Sequence, residues 1–380
     1  MLPIESLTIH RFRGLRDVDF PKVGRFNVLV GRNNAGKSSV LEAVATYAHP
    51  LRPSEWVEVV RRREWVFSRA GLLEGLRWLF PQPSNGSLDS TGPFHGETKV
   101  SGTGRYSVRE SEATFSELEG FFDEDAGREM PGGVLDPQSG AEAGTRRGAR
   151  LQLRATIEEA APDLFGERQK RQESFEVELW ETSRGPIAQN AAGASLPVVT
   201  ITPFSHRAQN VVEAFSEALY EDLKPMVLQL VRLFDPEIED FEVLKRPRSE
   251  PSVHVRHSRL GKAPLSAFGD GMRRALLMGV SLATARGGVL LIDEIESAIH
   301  VEVLGATFQW LQETCRSLDV QVFTTTHSLE AVDALLDAKS SAEDLMVYRL
   351  EQDMAGIRVK SFAPDRLRVL REELGQEIRS

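Results

Sequence analysis

Gly31-Arg32-Asn33-Asn34-Ala35-Gly36-Lys37-Ser38 follows the apolar run Phe26-Asn27-Val28-Leu29-Val30 and leads into residues 38–47, where apolar side chains recur at helical spacing. Strand, glycine-bearing loop and helix in that order, with G-x-x-x-x-G-K-[ST] satisfied at every position, predict a phosphate-binding loop. Each residue type has a chemical reason. Gly31 and Gly36 let main-chain N–H groups converge on phosphate oxygens, Lys37 brings a point charge to the β- and γ-phosphates, and the Ser38 hydroxyl is a ligand for Mg²⁺. The positive end of the helix adds to the pull on an anion, and Asn34 and Ser39 complete the loop's expected nucleotide-binding set.

Working outward, Gly288-Val289-Leu290-Leu291-Ile292-Asp293-Glu294 reads as a buried strand ending in two carboxylates. Strand ends of a parallel sheet face the ligand crevice, so these acids arrive where the phosphates lie. There Asp293 is expected to hold Mg²⁺ with Ser38, and Glu294 to orient or deprotonate the attacking water. A solvated acidic pair capping the next helix is the plain alternative, and the complete phosphate loop weighs against it. A second buried strand, residues 320–325, delivers Thr326-His327-Ser328, where His327 can hydrogen-bond the γ-phosphate. ATP and Mg²⁺ are therefore the expected cofactors, and a Mg-dependent ATPase, a phosphoanhydride hydrolase, the expected enzyme.

The chain has 380 residues, with 41% hydrophobic and 27% charged side chains, a globular composition. Its formal net charge of -10 argues against a surface that is basic all round. Cys315 is the single cysteine, which excludes an internal disulfide, a C-x-x-C hook and a cysteine zinc site. No apolar run reaches the roughly 20 residues needed to span a bilayer, and the first residues lack a leader pattern, so a cytoplasmic protein without membrane contact is expected.

The alternation of strands and helices predicts an α/β fold with a parallel core sheet and an antiparallel β subdomain, and with the phosphate loop and acidic strand end the chain resembles an ABC-type P-loop NTPase, which implies a helical signature lobe. Residues 4–20 read as a hairpin turning at Gly14. The expected division is an N-terminal ATPase lobe over 1–82, a Gly/Ser/Pro-rich insertion with mobile loops over 83–150, and an antiparallel β segment over 151–202. A helical lobe with the signature loop follows over 203–286, with a helix from about 209 to 234 and a short variable segment leading to Pro264. The C-terminal ATPase lobe is placed over 287–380, closing with a hairpin near residues 353–356 and a charged helix from Asp365.

Pro264-Leu265-Ser266-Ala267-Phe268-Gly269-Asp270-Gly271-Met272-Arg273-Arg274 resembles a divergent cassette signature, a Ser and Gly loop opening a helix before the acidic strand. With Asp293-Glu294, His327 and the opening Ile9-His10-Arg11-Phe12-Arg13-Gly14-Leu15, the chain resembles the ATPases that group with OLD-family proteins and, more distantly, with SMC and RecF. The resemblance covers about residues 1–50 and 200–350. It implies that Ser266 and Gly269 face a phosphate. It gives Arg13 two readings, an arginine approaching nucleotide or a surface arginine. The run Ile295-Glu296-Ser297-Ala298-Ile299-His300 lacks the aspartate of the usual D-loop, and His300 is either its substitute in a dimer contact or a helix-start residue. Gln209 is a Q-loop candidate or an exposed helix glutamine.

In such families two heads enclose two ATP molecules, which implies a homodimer or a higher homo-oligomer. An SMC protein needs a long paired coil between loop and signature, and the middle segment carries neither heptads nor the cysteine hook. An OLD nuclease needs clustered acids after the head, and about 30 residues follow Leu350. The expected function is a stand-alone OLD-like ATPase that binds DNA or a foreign protein and controls a separate effector in bacterial anti-phage defence. The runner-up is a RecF-like repair ATPase, for which Arg61-Arg62-Arg63 and Arg146-Arg147 either touch DNA phosphate or form solvated faces. A transporter cassette subunit is a weaker third.

Overall fold

The computed structural model describes residues 1–63, 68–82, 93–122, 144–162, 168–181, 193–207, 212, 215–216, 223–245, 250–338, 344–353, 356–363 and 365–367. Chain contacts divide it into two compact units, one formed by Met1–Glu5, Lys22–Leu41 and Leu196–Ser380, the other by Ser6–Pro21 and Glu42–Ser195.

The first unit is built on a six-stranded sheet of β3 (Phe26–Gly31), β8 (Val198–Ile201), β12 (Val289–Ile292), β13 (Gln321–Thr325), β14 (Leu345–Asp353) and β15 (Gly356–Phe362), in the order β15-β14-β3-β13-β12-β8. All neighbours pair in parallel except β15, which closes the edge as an antiparallel hairpin with β14. Every residue of β3, β12 and β13 is buried, so these strands lack the in–out alternation of a half-wet sheet, and the polar Asn27, Gln321, Thr324 and Thr325 are buried beside their apolar neighbours. Helices α5 (Asp270–Thr284), α6 (Val301–Ser317) and α7 (Leu329–Asp337) send Leu276, Val280, Phe308, Leu311 and Leu335 into one cluster with Val28, Leu290, Ile292 and Val322. Each such side chain contributes about 1.5–3 kcal/mol on burial.

The second unit carries an antiparallel sheet of β1 (Ser6–Phe12), β2 (Leu15–Phe20), β4 (His95–Thr103), β5 (Val108–Phe122), β6 (Gly144–Pro162) and β7 (Arg168–Trp180), in the order β2-β1-β4-β5-β6-β7. Its aromatic core stacks Trp56, on α2 (Pro53–Arg63), against Phe80 at a centroid distance of 5.4 Å, and Phe80 against Phe115 of β5 at 5.3 Å. Helix α3 (Arg69–Arg77) starts at Ser68, whose side chain accepts from the Gly71 N–H. Helix α1 (Lys37–Ala48) gives its first turn to one unit and the rest to the other.

Several sequence expectations need correction. Residues 83–150 are not merely a loop-bearing insertion, because β4, β5 and the start of β6 lie there, at the centre of the antiparallel sheet. The segment 151–202 is not one antiparallel block: β6 and β7 are antiparallel, whereas β8 joins β12 in parallel in the other sheet. The segment between residues 231 and 270 holds a three-stranded antiparallel sheet of β9 (Ile238–Leu244), β10 (Ser252–His257) and β11 (Gly261–Pro264) where a variable segment was expected. The helix expected over 209–234 appears as α4 (Lys224–Val231), with much of its first half outside the described residues. The first hairpin and the phosphate loop, assigned to one lobe, belong to different units.

Candidate functional site

The phosphate loop leaves the sheet at the end of β3. Gly31 has φ 145°, and a Cβ there would lie 2.5 Å from the Leu350 carbonyl oxygen on β14, so only glycine fits. Asn34 and Gly36 take φ 63° and 88°. Such left-handed residues turn successive N–H groups to one side and form an anion-binding concavity. Lys37 is 5% exposed, and its Nζ donates to the carbonyls of Gly31 and Arg32, each at 2.8 Å. Burial lowers its pKa, opposed by Asp293, Glu294 and Glu296. Ser39, half-buried, follows Ser38 in the first turn of α1.

The Ser38 Oγ lies 3.2 and 3.1 Å from the two carboxylate oxygens of Asp293, which follows β12. Thr325, the last residue of β13, donates its hydroxyl to Asp293 Oδ1 at 2.5 Å and accepts from the Glu294 N–H at 2.8 Å. Thus one side chain aligns both acids. Glu294 sits at φ 50°, a conformation a non-glycine residue keeps only when its surroundings hold it. Glu296 Oε1 accepts from the N–H groups of His327 at 2.9 Å and Ser328 at 3.2 Å, fixing the turn that carries His327. Hydroxyl and carboxylate oxygens meeting beside a buried lysine are the donor set of a hard cation with phosphate, so the residues present fit a magnesium nucleotide.

Thus Ser38, Asp293 and Thr325 form a bonded group, next in the chain to Lys37 and joined through main chain to Glu294, Glu296 and His327. Other expected residues lie apart from that bonding. Ser266 is exposed in the single turn Leu265–Ala267, and Gly269 is the exposed N-cap residue of α5. Arg13 belongs to the second unit, where its Nε donates to Glu42 Oε2 at 2.7 Å. His300 is the helix-start residue of α6, its Nδ1 accepting from the Glu302 N–H at 3.4 Å. Gln209 lies outside the described residues. Arg61, Arg62 and Arg63 pair with Glu58, Glu55 and Glu42, while Arg146 and Arg147 lie on β6, half-buried and exposed.

Sequence reasoning missed Thr325, Glu296 and Arg274. Their side chains act on main chain or on other side chains across 19 to 72 residues, and no local spacing encodes that; the Thr-Thr-Thr run before His327 was the available sign. A cluster of Asp235, Glu237 and His257 elsewhere in the unit has the composition of a metal site but the wrong tautomer. His257 Nδ1 accepts from the N–H groups of Arg259 and Leu260, so Nε2 carries the hydrogen and donates to Asp235 at 3.2 Å.

A parallel sheet with this loop between β3 and α1 is the fold of an ABC-type P-loop NTPase. Residues 152–333 match the family described as "AAA domain, putative AbiEii toxin, Type IV TA system". An uncharacterised protein of Methanocaldococcus jannaschii, MJECL11, is 34% identical over 114 residues, 30% of this chain and 99% of that one. The DNA replication and repair protein RecF of Proteus mirabilis is 37% identical over 75 residues, 19% of this chain and 21% of RecF, so the match spans about a fifth of that relative. A crystallised SMC head bound to the C-winged helix domain of ScpA superposes with TM-score 0.48 at 11% identity, over 96% of this chain and 99% of that one. The chain thus carries the phosphate loop and acidic strand end of a P-loop NTPase, and over parts of its length it is similar to that AbiEii-type AAA family and to RecF. Among the described residues no helix is long and apolar enough to cross a membrane.

Proposed function

We propose that the chain is a Mg²⁺-dependent, OLD-like ATPase that closes into an ATP-bound homodimer and, through that cycle, controls a separate effector protein in bacterial anti-phage defence. The observation that carries the reading is the meeting of Ser38 Oγ with the Asp293 carboxylate at 3.1–3.2 Å beside buried Lys37. Ser38 and Asp293 would hold Mg²⁺ there, and the ion would supply neutralisation of phosphate charge. Lys37 exchanges the Gly31 and Arg32 carbonyls for phosphate oxygens, Glu294 orients the attacking water and accepts its proton, and His327 hydrogen-bonds the γ-phosphate.

The homodimer is supported by Gly269. Its φ of -64° suits any residue, and a Cβ there meets nothing within 4 Å, so no neighbour within the described chain demands glycine. A phosphate brought by a second copy does, because it must approach bare main chain at the start of α5. ATP then favours the closed pair, since its γ-phosphate bonds both copies, and hydrolysis removes that contact. Light scattering of Glu294→Gln tests this: ATP should raise the mass to a dimer or larger, and an unchanged mass overturns the assembly.

Defence is supported by the family match, whose description names the AbiEii toxin and a type IV toxin–antitoxin system. ATPase rates with and without double-stranded DNA, with a pull-down against proteins encoded beside this one, test the load. Indifference to DNA together with no partner overturns it. A RecF-like repair role is the second reading, favoured by the 37% identity to RecF over 75 residues. DNA binding that weakens steeply with salt and falls on substituting Arg61 to Arg63 selects that role. The pairing of each of these arginines with a glutamate weighs against that contact.

A further inference from the structure

Arg274 is the largest charged side chain that the first unit buries completely, with 0% of its surface exposed. It lies one turn into α5, the helix that starts at the exposed Gly269 of the signature-like loop. Its Nη1 donates to the Thr202 carbonyl at 3.0 Å, just past the end of β8, and its Nη2 donates to the carbonyls of Asp293 at 3.0 Å and Glu294 at 2.7 Å. The guanidinium thus grips the main chain of both acidic residues while leaving their carboxylates alone.

A second contact on the same face of α5 reaches the same turn. A Cβ on Gly271 would lie 2.6 Å from the Ala298 carbonyl oxygen, so the helix presses main chain to main chain against the segment that follows Glu294. Residues three apart share a helix face, and here that face is keyed to residues 293–298 at two points. The turn has little slack: Glu294 and Ala298 hold φ values of 50° and 61°. Where a Cα–Cβ bond points depends on φ and ψ, so a small displacement of these carbonyls re-aims the Glu294 carboxylate.

Stability alone does not account for Arg274. Burial pushes its pKa down to about 10 against the pull of Glu296, Glu294 and Asp293, and its Nε has no hydrogen-bond partner. Well-packed apolar side chains are commonly as stabilising as a buried charge, or more so. What they cannot do is bind three carbonyls from two strand ends at once.

We infer that Arg274, with Gly271, is a positioning element that makes the aim of Glu294 depend on where α5 lies, so that engagement of the signature-like loop is transmitted to the catalytic turn of the same chain. This rests on the ATPase and dimer reading above. A ligand settling at Gly269 displaces the first turn of α5, and the helix, rigid over 15 residues, carries Arg274 with it. Glu294 follows through its carbonyl, whereas the Asp293 carboxylate stays held by the Ser38 and Thr325 hydroxyls. Hydrolysis is therefore slow until α5 is seated, while nucleotide binding at Lys37 and Ser38, on a different element, is spared.

The test compares wild type, Glu294→Gln, Arg274→Ala, Arg274→Lys and Gly271→Ala by steady-state phosphate release and by equilibrium binding of a fluorescent ATP analogue. Arg274→Ala should lower kcat on the order of 10–100-fold, as expected for a reacting group displaced by a fraction of an ångström, with affinity for the analogue kept within about threefold. Added methylguanidinium should restore part of that rate, whereas lysine, which lacks the planar fork, should not. Gly271→Ala, a smaller insult to folding, should show the same split between kcat and affinity. The idea is overturned if both variants keep kcat within about threefold of wild type, or if rate and affinity fall together without rescue. Failure of the ATPase reading looks different: wild type would release no phosphate, or Glu294→Gln would release it at the wild-type rate.

Discussion

The parallel sheet of the first unit and the antiparallel sheet of the second use polar side chains in contrasting ways. In the first, Asn27, Gln321, Thr324 and Thr325 are at most 1% exposed, and each bonds main chain or the Asp293 carboxylate. In the second, charges pair across neighbouring strands on a wet face: Lys99 reaches Glu110 at 2.8 Å and Glu112 at 3.0 Å, and Arg150 reaches Glu178 at 2.7 Å. A buried polar group has one geometry that satisfies it, so it can fix a catalytic turn. An exposed pair has many, and water substitutes for any of them.

That contrast breaks most visibly at the catalytic turn. Glu294→Gln keeps the shape of the side chain and removes the base, so phosphate release should fall about 10²–10⁴-fold while ATP still binds. Lys37→Ala should abolish binding as well, because the loop then faces phosphate without its ammonium. A Glu294→Gln rate within tenfold of wild type would move the catalytic role to another carboxylate.

The next effect is on stability. Gln321, wholly buried, accepts from the Ile4 N–H at 3.0 Å and donates to the carbonyls of Ile4 at 2.7 Å and Gly24 at 2.8 Å. Gln321→Leu leaves the N–H and carbonyl of Ile4 buried without these partners, while the Gly24 carbonyl keeps the Asn27 amide, and should cost roughly 2–4 kcal/mol by urea unfolding. A loss below about 1 kcal/mol would mean that water enters and satisfies them.

How much of this contrast is legible in the sequence follows from the same physics. The phosphate loop and the acidic strand end can be read because their chemistry dictates residue types at fixed local spacing. The strands of residues 93–150 are hidden because their glycines look like breakers. They are clearances for aromatic rings: a Cβ on Gly102 would lie 2.8 Å from the Tyr47 hydroxyl, on Gly120 2.9 Å from the Trp180 ring, and on Gly148 2.5 Å from the same ring. Strand β11 ends in Pro264, which an edge strand tolerates and which reads as a turn. Nothing local in Val198 to Ile201 shows that the strand pairs in parallel with β12, because that pairing spans about ninety residues.

The second unit has its own buried titratable group, and it sharpens the comparison through pH. His49 is 8% exposed, its Nδ1 has no partner, and burial, with Arg52 and Arg62 adding to it, depresses its pKa from 6.5 to about 4. Folding therefore excludes a proton that the unfolded chain binds. The resulting stability is present above pH 6.5 and is lost progressively as pH falls toward 4, by up to about 3 kcal/mol. His49→Gln should flatten the urea midpoint against pH across that window, and an unchanged slope would assign the acid sensitivity to other groups.

The smallest expected effect lies on the open face. Lys99 bonds two glutamates on β5, and both partners raise its pKa more than its slight burial lowers it. Such pairs on an exposed sheet face lose in side-chain ordering and salt screening most of what they gain in attraction. Lys99→Met keeps the alkyl stem over the strand and removes the charge, so it should shift stability by less than about 1 kcal/mol, a shift that shrinks further as salt is added. It should also leave the ATPase rate unchanged, because water takes up the freed glutamate oxygens. A loss comparable to that of Gln321→Leu would show that the pairing across β4 and β5 behaves as a buried network, and the distinction between the two sheets would then rest on chemistry at the strand ends alone.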